Sequence, residues 1–456
     1  MFTRHIQPMR RVLFKLAAMM FACCSLAAAS SATLLLEEPY GKLGFFTATG
    51  HAAVYLSGVC ADSPVVLRHC VPGETGIVLS RYDGVGGYDW VAIPLIPYLY
   101  AVDHAEDIPL FADAKMVNLL RDHYRRKYLA EVAPDARNGE APGGNWYELV
   151  GSSYDRAIYG FQIETTSRQD DALIRKYNAG PNRSHFRTVS NNCADFAKDV
   201  INFYYPKALR RSVVADAGIT TPKQMAKTLV KFNARHPALQ FSRIVIPQVP
   251  GSLPRSSAVH GVVESFFKSK KYIVPSVVVS PIFAGCVAAV YVGSGAGRFD
   301  PARDALVFVA GSDPEKPLAR EDRREYQHEL KSLMTETAVG ATAGKAWEKL
   351  QSKAQTSFDD QGRPILEVRV DGRLMQIGVS AGNILTGGAP PQLVRQLLEA
   401  RLQSELHHGL PNGISESEVA RDWKMLQQSV NEDENDTRLT AARSTQRSDS
   451  IRGNRP

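Results

Sequence analysis

Cysteine is scarce in this chain, with six among 456 residues, and two of the six lie in an apolar run near the N-terminus. The sequence also lacks a basic stripe interleaved with aromatic residues, although the net charge is +7. We therefore do not expect nucleic acid as a partner. No internal repeat is present, which excludes a repeat architecture. At about 100–200 residues per domain, the length predicts two or three globular domains.

Two motifs are incomplete. The glycine-rich stretch 84–87 lacks the lysine and the strand-to-helix context of a phosphate-binding loop, so it predicts a turn. A lipoprotein signal has a leucine-type residue three positions before the modified cysteine. That position holds Met20 for Cys23 and Phe21 for Cys24, which disfavours lipidation. We expect no cofactor.

The first 32 residues are typical of an export signal. Arg10, Arg11 and Lys15 supply positive charge, residues 16–29 are apolar, and small residues at 28–32 suit a signal peptidase. The sequence therefore predicts an exported protein of the periplasm or cell envelope.

Export to an oxidising compartment makes the remaining cysteines informative. Cys60 and Cys70 enclose a short loop-like stretch, which favours a local disulfide between them. The alternative is a zinc site formed by Cys60, His69 and Cys70, although adjacent histidine and cysteine residues are poor metal-ligand spacing. A disulfide would leave Cys193 and Cys286 without an obvious partner.

A first region, residues 33–250, alternates predicted strands and helices. Periodicity predicts strands at His51–Leu56, Ile77–Tyr82, Trp90–Leu95, Ile158–Glu164 and Phe241–Ile246. It predicts helices at Asp113–Leu129, after a cap at Thr166 or Ser167, and around Met225–Phe232.

The most informative helix begins at Cys193. Its apolar residues recur at helical spacing, Ser190 or Asn191 is available as the N-cap, and Pro206 ends it. Unpaired N–H groups and the helix dipole at such an N-terminus favour a thiolate. The same cysteine, on an apolar helical face, is also typical of a buried and inert residue, and its coincidence with His51 and export favours the catalytic interpretation.

A second apolar run, residues 272–295, contains no charged side chain and is long enough to cross a bilayer. Pro275, Pro281 and the β-branched residues 277–279 argue against a regular helix. The transmembrane interpretation is preferred, and a buried strand pair or hairpin is the alternative.

Beyond residue 300 the sequence predicts a smaller α+β region ending near residue 430. Residues 318–353 have a charged helical pattern, and Pro391–Leu406 is amphipathic. Asp371-Gly372 predicts a hairpin turn between two strands. The tail at 431–456 has few apolar residues, which is typical of disorder.

The order of a Gly50-His51 strand first and an Asn192-Cys193 helix later resembles the circularly permuted branch of the NlpC/P60 papain-like superfamily, which includes lecithin retinol acyltransferase-like proteins and bacterial periplasmic families. The resemblance covers about residues 40–206. It implies an α+β papain-like domain in which an antiparallel sheet packs on helices.

The resemblance also implies roles for individual residues. Cys193 would be the nucleophile, His51 would accept its proton, and a third polar group would orient the imidazole. His69 is the candidate if residues 65–70 form the neighbouring strand. Ser80 or an adjacent residue is the candidate if residues 77–82 do so. The N–H of Cys193 would serve as an oxyanion donor.

The preferred function is therefore an exported, membrane-tethered thiol hydrolase or acyltransferase that forms a thioester on Cys193. A peptide, peptidoglycan or acyl-lipid substrate fits the superfamily. The alternatives are a non-catalytic envelope protein that uses a papain-like shell for binding or assembly, and a metal-binding module.

Overall fold

The protein has an α+β architecture. The computed structural model describes residues 30–41, 49–83, 85–183, 186–336, 347, 349–370, 372–380, 382, 391–408 and 413–428. The predicted tail at 431–456 and most of the predicted export signal lie outside these residues.

The strands form three sheets. One contains seven strands in the order β6-β5-β2-β1-β7-β8-β9, one contains β10-β11-β12, and one is the hairpin β3-β4. The strand bounds are β1 Ser30–Glu37, β2 His51–Leu56, β3 Val59–Ser63, β4 Val66–His69, β5 Ile77–Ser80, β6 Val91–Pro94, β7 Ile158–Thr165, β8 Phe241–Ile246, β9 Leu306–Val307, β10 Gln355–Phe358, β11 Pro364–Val370 and β12 Arg373–Gly378.

Helices cover both faces of the large sheet and build much of the C-terminal region. Their bounds are α1 Leu95–Tyr100, α2 Ala114–Tyr128, α3 Ser152–Asp155, α4 Ser167–Ala179, α5 Cys193–Tyr204, α6 Pro222–Arg235, α7 Val262–Lys268, α8 Lys270–Val279, α9 Pro281–Gly293, α10 Arg320–Glu336, α11 Pro391–His408 and α12 at 416–428.

β1 is the central strand and pairs antiparallel with β2 and β7. All eight of its residues are buried, and its apolar side chains are Ala32 and the run at residues 34–36. Ser30, Ser31 and Ala32 belong to this strand although they fall within the predicted signal. A signal peptide that leaves the sheet intact therefore ends no later than residue 29.

Side-chain alternation along the strands divides the interior into two cores. Leu34 and Leu36 join Ala52 and the apolar face of α5 on one side of the sheet. Leu35 and Ala53 point to the other side, where α1, α2 and the C-terminal region pack.

The C-terminal region shares this second core. Arg401 on α11 donates to the carbonyl of Leu110 at 2.9 Å, and the Ser404 hydroxyl donates to the carbonyl of Gly251 at 2.8 Å. The sheet itself continues beyond residue 250, because β9 pairs in parallel with β8. The predicted regions 33–250 and 300–430 are thus joined by a common interior.

Most predicted elements are present with small shifts at their ends. Asp113 caps α2, and Thr166 forms a capping box with Gln169 at the start of α4. The predicted strand at Trp90–Leu95 is shorter, because α1 begins at Leu95. The disulfide between Cys60 and Cys70 is confirmed.

The predicted transmembrane run forms two short helices, α8 and α9, which meet at Ser280. The break follows from Pro281, because proline occupies the first turn of a helix readily but disrupts a helix interior. Among the described residues, no helix has the length and apolar character needed to span a bilayer.

Candidate active site

The N-terminus of α5 is capped by Asn192. Its side chain accepts a hydrogen bond from the backbone N–H of Asp195 at 2.9 Å, and its amide donates to the carbonyls of Thr188 and Thr220. The predicted caps, Ser190 and Asn191, are therefore wrong by one or two positions. This reciprocal capping holds the first turn of α5, and with it Cys193, in place.

A second contact ties the segment before α5 to the sheet. Arg81, which follows β5, donates to the side-chain oxygen of Asn191 at 2.6 Å. The same guanidinium pairs with Asp89 and lies 4.9 Å from the centroid of the Phe196 ring on α5. The entry to α5 is thus anchored beside the strand that pairs with β2.

Cys193 is a partly exposed residue whose sulfur is shielded from solvent and receives two backbone N–H groups, from Ala52 on β2 and from Ala194 on α5. These contacts lower the thiol pKa, as the helix N-terminus predicts. Burial and the charges of Glu37 and Glu148 raise it by more, so that the pKa is about 11. Burial therefore outweighs the lowering of the thiol pKa expected at a helix N-terminus, and a thiol of this pKa keeps its proton at neutral pH.

His51 is the first residue of β2 and is buried. Its ring stacks on Tyr82 with centroids 4.3 Å apart and planes 8° from parallel. Burial and the charge of Arg156 place the pKa of His51 well below its ordinary value, so the imidazole is neutral. Its Nε2 atom is buried without a hydrogen-bond partner.

The backbone conformation before His51 requires glycine. Gly50 has φ of +69°, and a Cβ at this position would lie 2.1 Å from the carbonyl oxygen of Glu37. Gly50 therefore lets β2 begin close against the end of β1. This is a physical reason for the Gly-His pair at the start of the strand.

The Cys193 sulfur and the backbone of β2 next to His51 lie close together at the start of this strand. The sulfur lies beside the peptide bond between His51 and Ala52, because the Ala52 N–H is bonded to it. The imidazole packs with Tyr82 on the opposite face of the strand from Ala52. Among the described residues no hydrogen bond joins the His51 imidazole to the Cys193 thiol, and the two pKa shifts leave both groups neutral at rest.

A buried polar network that sequence reasoning missed surrounds them. Glu37 is directly opposite His51 in the β1–β2 register and accepts a hydrogen bond from the hydroxyl of Tyr98. Arg156 lies 3.4 Å from the Glu37 carboxylate and 3.1 Å from that of Glu148. Burial raises the pKa of Glu37, while Arg156 and Tyr98 lower it.

Neither of the two proposed orienting residues, His69 and Ser80, lies directly opposite His51. His69 pairs with Val59, which follows the end of β2, whereas His51 begins that strand. The His69 ring contacts the exposed carboxylate of Asp171. β5, rather than the stretch at 65–70, is the strand beside β2. His69 therefore does not reach the His51 imidazole.

Ser80 is fully buried at the end of β5. The β2–β5 pairing aligns Val54 with Leu79, and continuing that register places Ser80 opposite Ala53. Tyr82, two residues further along, falls opposite His51 and is the residue that stacks on it. The neighbour of His51 on this side is thus an aromatic ring.

A sequence signal for part of the network exists. The run Leu34-Leu35-Leu36 is followed by Glu37 and Glu38, and an acidic residue at the end of a buried strand marks the sheet end where polar groups collect. No comparable signal marks Arg156, whose role depends on its position beside β1.

The described residues contain one group of atoms with metal-ligand proximity, formed by Cys60, Cys70 and Glu74. Both sulfurs belong to the disulfide, so neither is a thiolate ligand. The alternative zinc site that included His69 is therefore wrong.

Comparisons with protein-family models, curated proteins and solved structures found no match to this chain.

Proposed function

We propose that this protein is an exported thiol hydrolase or acyltransferase of the permuted NlpC/P60 papain-like type, with Cys193 as nucleophile and His51 as base. One observation carries the proposal. Cys193 is a partly exposed residue whose sulfur receives two backbone N–H groups at the start of the strand that begins with His51, and the buried Nε2 atom of His51 has no partner. An unpaired buried nitrogen costs free energy, so its retention favours a use in chemistry.

The protonation states of the resting Cys193 thiol and His51 imidazole set the order of the proton transfers. Because both are neutral, His51 removes the thiol proton as Cys193 attacks the carbonyl carbon of an amide or ester. The C–N or C–O bond then breaks, the proton passes from His51 to the leaving group, and a thioester remains. Water or another acceptor resolves the thioester.

Direct contact between thiol and imidazole is needed at the moment of attack. Catalytic hydrogen bonds are often long in unliganded enzymes and shorten when substrate binds. Here a change of side-chain rotamer at Cys193 or His51 is required. In this scheme the N–H of Cys193, together with the N–H groups of Ala52 and Ala194 that contact the sulfur, donates to the negative charge that develops on the carbonyl oxygen.

The substrate class we propose is a peptide, a peptidoglycan stem peptide or an acyl lipid in the cell envelope. The order of elements supports the permuted papain-like fold, since the His51 strand precedes α5 and α5 packs on β2. No cofactor enters the scheme.

A second candidate function is a non-catalytic envelope protein that binds or assembles through the same shell. The thiol pKa of about 11 and the packing of His51 against Tyr82 favour it. In that case the network around Glu37 is a structural device of the sheet end.

Acylation by p-nitrophenyl acetate separates the two functions. We use a Cys286→Ser background, because Cys286 is the other free cysteine among the described residues and is exposed. Catalysis predicts one acetyl group on Cys193, measured by peptide mass spectrometry. His51→Ala slows its formation by about 100-fold or more, the usual contribution of a general base.

The control variant is Asp171→Gln. Asp171 contacts His69, and both side chains are exposed and lie outside the site. Its acylation rate remains that of the parent. An acylation rate unchanged by His51→Ala contradicts the enzymatic proposal and favours the binding protein.

A further inference from the structure

The segment formed by α8 and α9, residues 270–293, is a surface excursion of aliphatic side chains. Val278, Val279 and Ile282, on either side of Ser280, are 78%, 83% and 82% exposed. Ala284 is the one buried residue of these two helices. Aliphatic surface of this extent is costly in water and marks a site of interaction.

Both ends of the α8–α9 segment are attached to the same helix, α6. Before the segment, Glu264 on α7 pairs with Lys223 on α6 at 2.7 Å and with Lys268 at 2.8 Å. After it, the carbonyl of Ser294 accepts a hydrogen bond from Lys227, one turn further along α6, at 3.1 Å. α6 therefore anchors both ends of the segment, and α8 packs against α9 between them.

Beyond Glu264, the charged residues of the segment itself have a single sign. The stretch 265–299 contains no aspartate or glutamate, whereas Lys268, Lys270, Lys271 and Arg298 are basic. Lys227 and Lys231 on α6 line a recess with Val290 of α9. The exposed apolar end is thus followed by a collar of positive charge.

Aromatic rings lie at the same level as the collar. Tyr272 stacks on Phe266 of α7, and Tyr291 stacks on Phe267 with ring centroids 4.6 Å apart. Tyrosine at the boundary between an apolar and a charged zone is typical of a membrane interface.

The dimensions agree with one leaflet. At about 1.5 Å per residue, α8 and α9 are about 15 Å and 20 Å long. Half of a hydrocarbon core of about 30 Å is about 15 Å. We propose that the α8–α9 segment inserts into a single leaflet of a bilayer rich in anionic phospholipid, with Val278, Val279 and Ile282 deepest and the lysines at the phosphate groups.

This docking differs from the predicted transmembrane crossing, because the chain enters and leaves the leaflet on the same side. It is independent of Cys193 chemistry. A protein partner is less compatible with the pattern, since an apolar end followed by several lysines matches the layered structure of an anionic membrane surface.

The test places a fluorophore on Cys286 in α9. In the full chain, Cys23, Cys24 and Cys193 are replaced by serine, which leaves Cys286 as the one free thiol to carry the nitrobenzoxadiazole group. A label in the segment itself reports its insertion, whatever the apolar N-terminal run of the full chain does with vesicles.

Vesicles of phosphatidylcholine with phosphatidylglycerol should shift the label's emission to the blue, and nitroxide-labelled acyl chains should quench it. Val278→Asp with Ile282→Asp should weaken partitioning by about 100-fold or more, as buried aspartates do in a bilayer. Lys270→Gln and Lys271→Gln should each weaken it by about five-fold.

The control pair Val71→Asp with Leu374→Asp changes the net charge equally at two exposed apolar residues elsewhere, and it should leave the shift intact. Circular dichroism checks that each variant is folded. The proposal is overturned by an unshifted label, by equal shifts with pure phosphatidylcholine, or by insensitivity to the aspartates. A shift that follows protein concentration without vesicles overturns it in favour of self-association.

Discussion

The Glu37 carboxyl group and the His51 imidazole lie on directly opposed residues of β1 and β2, and both are buried. The pair is enclosed by Arg156 and Tyr98, which act on Glu37, and by Tyr82, which stacks on the imidazole. The Glu37 charge also acts on the Cys193 sulfur, where it raises the thiol pKa.

Glu37→Gln should move the alkylation of Cys193 to lower pH. The Glu37 charge raises a thiol pKa that is about 11, so its removal lowers that pKa. Iodoacetamide labelling across pH in the Cys286→Ser background measures the midpoint. Glu38→Gln is the matched control, because Glu38 is the next residue and contacts Tyr159 and Ser256 instead. Equal midpoints for both variants would show that Glu37 does not influence the sulfur.

Gly50→Ala should destabilise the protein and lower acylation. Its Cβ would lie 2.1 Å from the Glu37 carbonyl oxygen, in a backbone conformation with φ of +69°. Strain of this kind costs about 1–3 kcal/mol. Gly41→Ala has nearly the same φ, +74°, with no atom within 4 Å, so it isolates the conformational part. Urea denaturation of both variants gives the difference, which contradicts the steric account if it is zero.

Glu405→Gln should reduce the loss of stability as pH rises. Burial raises the pKa of Glu405 to about 8, and neither of its oxygens has a hydrogen-bond partner. Between its unfolded pKa, about 4.3, and about 8, the folded chain holds a proton that the unfolded chain has released. The free energy of unfolding therefore falls with rising pH, by at most about 1.4 kcal/mol per pH unit.

Unfolding by urea at pH 5 and pH 8 checks this slope. The free energy of unfolding of the Glu405→Gln variant should fall less steeply with pH than that of the parent, by up to that amount. Glu416 is an exposed residue on α12, and Glu416→Gln should show the slope of the parent. Parallel slopes for the parent and the Glu405→Gln variant would contradict the assignment.

Removal of the Cys60–Cys70 disulfide should lower stability by about 2–3 kcal/mol, the chain-entropy value for a short loop. The bond closes a loop with a sequence separation of 10 residues. Acylation of Cys193 should persist, because the β3–β4 hairpin lies at the far end of β2. Thermal unfolding of Cys60→Ser with Cys70→Ser gives the shift, and Cys286→Ser serves as the control. A loss of acylation at a temperature where the variant is folded would link the loop to the site.

Local sequence signals predicted much of the fold and part of the candidate site. The α2 helix with its Asp113 cap, the β8 strand and the β11–β12 pair depend on periodicity, caps and turns within a few residues. The position of Cys193 at a helix start has the same origin. The exact N-cap was displaced to Asn192, because neighbouring Ser and Asn residues offer similar caps.

By itself, the sequence determined the α+β class, the local disulfide, the Cys193 helix and the strand that begins at His51, because each depends on contacts between residues near one another in the chain. Only the tertiary structure decided that Glu37 faces His51, that His69 is remote, that the thiol pKa is raised, and that residues 270–293 form two exposed helices. Strand register, burial and electrostatic environment arise from residues far apart in sequence, and no local pattern specifies them.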